Sequence, residues 1–144
     1  MKFKRFFSAT GIATATAMCA LATLVPVASA SHETAPSCTD YARTTVLDNS
    51  SVIGYGSMSC WKPAYKAVFT VCVRDLTVKS SKCQSQYLKG YPSSAQLKFQ
   101  ASCTPGHSIY TTAHSQLYDA HGAFIAKVYA GSPAYTCSAP NTTS

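Results

Sequence analysis

The sequence predicts an all-β protein: a small antiparallel β-sandwich of six or seven strands, cross-linked by disulfides. Three observations carry that expectation. Apolar residues recur with a period of two in several segments, and no stretch shows a helical period. Clusters of Gly, Pro, Asn, Asp and Ser separate those segments at short intervals. Six of the seven cysteines lie in the body of the chain, an even number that suits three bridges.

The 144 residues begin with Lys2, Lys4 and Arg5, followed by an apolar, small-residue run over Ile12–Val27 and an Ala28-Ser29-Ala30 exit. That order is a secretory signal peptide, residues 1–30, and the expected location is extracellular. Its removal takes three of the twelve Lys and Arg and none of the five acids, so the net charge falls from +7 to +4. Beyond the leader no apolar run approaches the ~18 residues of a membrane helix, so no membrane span is expected in the processed chain. Residues 31–37 (SHETAPS) are polar and contain Pro36, which predicts a flexible N-terminal arm. Residues 38–137 form the disulfide-linked β domain, and residues 138–144 a frayed tail.

Tyr41–Leu47 mixes aromatic and β-branched residues and stops at Asp48-Asn49-Ser50, a strand followed by a turn. Val52–Tyr55 reads as a short strand broken by Gly54 and Gly56. Tyr65–Arg74 places Ala67, Phe69, Val71 and Val73 on one face. Its other face is half apolar, which predicts a central strand. Leu76–Val78 continues this strand or returns from a turn, and Lys79–Lys82 (KSSK) reads as a solvated loop. Ala95–Cys103 alternates without a break, with Ala95, Leu97, Phe99, Ala101 and Cys103 directed inward. Ser108–Tyr118 and Ala123–Ala130 are two further strands, joined by a hairpin turn at Asp119–Gly122.

Spacing alone does not select one pairing of Cys38, Cys60, Cys72, Cys83, Cys103 and Cys137. The sequential set is the expectation, and Cys72–Cys83, flanking a hairpin, is its best-supported member.

The side chains offer little to an enzyme. Glu33, Asp40, Asp48, Asp75 and Asp119 are the only acids, in an arm, in turns or isolated, which argues against paired-carboxylate catalysis. His107, His114 and His121 are spaced by seven, an odd interval that turns successive strand residues to opposite faces, so no three-His metal site is expected. A small nuclease would have to draw on His107, His114 and Lys98, with no carboxylate evident to orient either imidazole. Serines lack a G-x-S-x-G setting. No enzyme activity, no cofactor and no metal are therefore expected, with a nuclease or other hydrolase as the alternative of another class.

Binding is the better-supported class. Nine tyrosines and one tryptophan are many for a chain in which only 12 % of residues are charged. Cys60-Trp61-Lys62-Pro63-Ala64-Tyr65 is the densest aromatic cluster and Tyr87-Leu88-Lys89-Gly90-Tyr91-Pro92 the second. Trp61, Lys62, Tyr65, Tyr87 and Tyr91 are the candidate partner-binding residues, with His32 and Glu33 of the arm, which can dock on a partner by strand addition. Trp61, next to Cys60, also fits a ring packed on a disulfide. The diffuse positive charge contains no Lys/Arg run, so the expected partners are other secreted proteins in a hetero-complex, not a specific nucleic acid.

Two resemblances bear on this reading. Tendamistat-type amylase inhibitors are small exported disulfide sandwiches that present a Trp-Arg-Tyr triplet. Here Trp61 is followed by Lys62 and Pro63, and six body cysteines replace four, so the likeness is limited. In overall plan (leader, about 110 processed residues, cysteine-stapled β body, polar N-terminal arm) the chain resembles the small adaptor subunit of umbrella toxin particles, which filamentous soil bacteria secrete against competitors. That resemblance implies a protein without activity of its own that joins a lectin-bearing subunit to a long toxin chain. An inhibitor of a protease or amylase is the alternative binder.

Overall fold

The computed structural model describes residues 35–48 and 50–139. The signal peptide and arm residues His32 and Glu33 lie outside these. Among the described residues no helix occurs, and eight strands run in the order β1 (Ser37–Asp48), β2 (Ser51–Lys62), β3 (Lys66–Asp75), β4 (Ser80–Lys89), β5 (Ser94–Ser102), β6 (Ser108–Tyr118), β7 (Phe124–Gly131) and β8 (Tyr135–Thr136). They build two antiparallel sheets. One has the order β1-β2-β5; the other has the order β4-β3-β6-β7, with the short β8 also paired to β6. The fold is the disulfide-linked all-β sandwich that the alternation predicts, with eight strands in place of six or seven.

The pleat explains the core. Ala67, Phe69, Val71 and Val73 of β3 and Ile109, Ala113 and Leu117 of β6 point inward from one sheet. Val52 and Met58 of β2 and Ala95, Phe99 and Ala101 of β5 meet them from the other. Phe69 is fully buried, and its loss would remove one of the largest side chains at the centre of the interface between sheets.

Two strand assignments change. β2 does not break at its glycines but runs unbroken from Ser51 to Lys62. Gly54 and Gly56 both sit on its inward face, where a Cβ would collide with Val73 Cγ2 and Val71 Cγ2 respectively. They are present because the sheets approach closely there, not because the chain bends. The KSSK segment, read as a loop, belongs partly to β4, which begins at Ser80 and pairs with β3 along its whole length. β4 is an edge strand and is exposed at every residue except Leu88, so neither of its faces needs an apolar row.

The disulfides are Cys38–Cys60, Cys72–Cys83 and Cys103–Cys137, the sequential set. The first two join residues directly opposite in the β1–β2 and β3–β4 ladders. The third ties the residue after β5 to the residue after β8, across the two sheets. Three bridges in so small a body are consistent with an extracellular, oxidising environment.

The seam beneath β1 is polar. Thr44 Oγ1 is 2.8 Å from Thr111 Oγ1 and 2.9 Å from Ser132 Oγ, linking the sheets by hydroxyls. Ser115 Oγ donates to Asp40 Oδ1 at 2.7 Å. Desolvation holds the Asp40 carboxyl above its ordinary range, and the Ser115 hydrogen bonds only partly offset this. The other oxygen, Oδ2, is buried with no hydrogen-bond partner among the described residues.

Candidate binding surface

The two aromatic clusters of the sequence meet at one end of the sandwich. β2 ends there, β3 begins there, and the chain passes from one sheet to the other through Pro63–Tyr65. The β4–β5 connection passes back at the same end. Main-chain hydrogen bonds stitch the two crossings together: Gly90 N and Tyr91 N donate to Tyr65 O at 2.9 and 3.2 Å, and Cys60 N donates to Ser93 O at 2.8 Å. Gly90 and Tyr91 both adopt left-handed backbone, φ 78° and 58°. Glycine does so without penalty, but a tyrosine rarely does. The turn thereby brings the Tyr91 ring to the Tyr65 ring, edge to face, with centroids 5.4 Å apart. β1 starts at this end as well, because Ser37 is paired with Lys62.

Trp61 is 81 % exposed and Tyr87 74 %. The reading of Trp61 as a ring packed on a disulfide is thus corrected: it sits at the penultimate position of β2, on the outward-facing parity, while Cys60 turns inward to Cys38. Tyr87 lies within β4 and not in a loop, and points outward across from Val68. Lys62 and Lys89 are exposed beside these rings. Trp61, Lys62, Tyr65, Tyr87 and Tyr91 therefore all lie toward one end of the sandwich, with Tyr65 and Tyr91 in contact at the crossing, Trp61 on the outer face of the smaller sheet and Tyr87 on that of the larger. Such aromatic side chains bury large area on a partner at little entropic cost.

Strand register adds residues that no local sequence pattern marks. In the row beside this end, Lys89, Lys66, Tyr118 and Phe124 lie side by side across β4, β3, β6 and β7. Lys66 Nζ stands 5.2 Å from the Tyr118 ring centroid, and Tyr118 and Phe124 meet edge to face at 5.9 Å. The Lys66–Tyr118 contact depends on pairing between β3 and β6, 52 residues apart at this point, and so had no signal within either segment, whereas Tyr118 and Phe124 flank the hairpin turn that the sequence marked.

The opposite end holds the one ion pair among the described residues. His107 Nδ1 lies 2.6 Å from Asp75 Oδ2, so a carboxylate does orient this imidazole, contrary to the sequence expectation. The His107 hydrogen bond holds the Asp75 carboxyl below its ordinary range. Asp75 Oδ1 also accepts from Thr77 N at 2.9 Å, which shapes the β3–β4 turn. Among the described residues no hydroxyl is hydrogen-bonded to the other ring nitrogen. His114 lies mid-strand on the outer face of β6, and Lys98 on the outer face of the other sheet, opposite Tyr55. The residues a nuclease would need are thus on three separate surfaces. Among the described residues no group of three His, Cys, Asp or Glu side chains is placed to hold a metal ion.

The fold and this surface define a disulfide-linked, antiparallel β-sandwich with an aromatic end. In comparisons with known proteins no family model, no curated protein and no solved structure matches the chain.

Proposed function

We propose that the chain is a secreted, non-enzymatic binding module that engages another secreted protein through its aromatic end, and that it serves as an adaptor joining subunits of an extracellular antibacterial toxin complex. One observation supports the binding role above the others: Trp61, Tyr65, Tyr87 and Tyr91 all lie toward one end of the sandwich and are open to solvent. A solvent-exposed Trp among tyrosines and lysines has the composition of an interface hot spot. The leader and the three disulfides support export. The adaptor role rests on the resemblance in overall plan.

The test is recovery of the tagged chain from the medium of its producing cells. The expected result is a stoichiometric complex with larger secreted chains, which Trp61→Ala combined with Tyr91→Ala reduces by about tenfold or more without lowering the melting temperature. Recovery of a single inhibited hydrolase would favour the inhibitor instead. A lone monomer, or a complex indifferent to both substitutions, would reject the proposal.

A further inference from the structure

The outer face of the larger sheet carries a chemical asymmetry of its own. Register assigns its residues row by row across β4, β3, β6 and β7. After the Lys89-Lys66-Tyr118-Phe124 row come Tyr87-Val68-Gln116-Lys127 and then Ser85-Thr70-His114-Tyr129. The Cys83-Cys72-Thr112-Gly131 row follows, and Ser81-Arg74-Tyr110 completes the face. Lys66, Arg74, Lys89 and Lys127 are cationic, and no carboxylate stands in any of the five rows. None of these four cations has an ion-pair partner among the described residues. Arg74 Nε reaches only Thr112 Oγ1, at 3.4 Å.

The charges are felt within the face. Burial, and then the positive charges of Lys127 and Arg74, hold the His114 imidazole below its ordinary pKa. Between the cations stand Tyr87, Tyr129 and Phe124, each more than half exposed. Four strands make a face roughly 14 Å across between its outer strands and, over eight residues, about 26 Å long. An extended segment or a single helix, about 10–12 Å wide, can lie along it.

We infer that this face is a second docking surface, adjoining the Trp61 end at Tyr87 and Lys89 and extending beyond it to Arg74 and Lys127, and that it receives an acidic segment of a partner protein. Charge complementarity selects the sign: uncompensated cations in a field without carboxylates attract carboxylates and repel basic partners. The interleaved tyrosines favour a polypeptide, whose apolar side chains can cover the rings between its acids. The inference goes beyond the binding role of the aromatic end, and Arg74 and Lys127, which lie outside that end, test it apart from that role.

A fluorescein-labelled decaglutamate peptide, titrated at low ionic strength against the processed protein, tests it. Binding is expected, weakening as salt is added. Arg74→Glu combined with Lys127→Glu, both exposed and both away from the aromatic end, should weaken it by about tenfold or more. Lys98→Glu, a reversal on the other sheet, should change it by less than about twofold, and Trp61→Ala should leave it unchanged. Absence of binding, equal loss with Lys98→Glu, or tighter binding of a labelled oligothymidylate of the same charge would overturn the inference. Melting curves of each variant establish that it is folded.

Discussion

Gly56→Val should destabilise the protein by about 3 kcal/mol or more, at or beyond the upper end of the usual cost of overpacking a core. The new Cβ would collide with Val71 Cγ2 and would stand 3.0 Å from Ala113 Cβ and 3.4 Å from Phe69 Cζ. Those neighbours are themselves fully buried and cannot move without opening the sandwich. Even Gly56→Ala should cost more than Gly131→Ala, whose Cβ would meet nothing nearer than Tyr129 Oη at 3.7 Å. Urea denaturation of the three variants measures the differences. A Gly56→Ala protein as stable as Gly131→Ala would show that the sheets are not pressed together along this part of β2.

The second large effect is expected from the bridge between the sheets. Replacing Cys103 and Cys137 by Ala frees a 34-residue separation, where chain entropy predicts a loss of about 3–4 kcal/mol. The Cys72–Cys83 bridge closes only 11 residues within one hairpin, and its removal should cost about 1 kcal/mol less. Both members of the longer bridge are buried, so the packing term adds to the entropic one, whereas Cys83 is exposed. Denaturation midpoints of the two double variants, each with the other bridges intact, decide the order. A greater loss for the hairpin bridge would contradict it.

Some of this was legible in the sequence and some was not, for identifiable reasons. Ala95–Cys103 announced itself because one face of β5 is buried and the other wet, so hydrophobicity alternates residue by residue. β4 (SSKCQSQYLK) was mute because an edge strand exposed on both faces has no apolar row to display. Gly54 and Gly56 gave the wrong signal, since a glycine that makes room for a facing sheet has the same letter as one that breaks a strand. The aromatic end was visible as two dense clusters, yet their meeting depends on the bonds from Gly90 and Tyr91 to Tyr65. The His107–Asp75 pair and the cationic outer face were invisible, because both arise from register between distant strands.

Hydrogen exchange on the complex recovered from the medium, compared with the free protein, tests the central claim most directly. The account predicts slowed exchange of the amides in Trp61–Tyr65 and Tyr87–Ser93, with the β3–β4 turn around Asp75 and Thr77 unchanged. Protection confined to that turn, with the aromatic crossings exchanging as in the free protein, would contradict it.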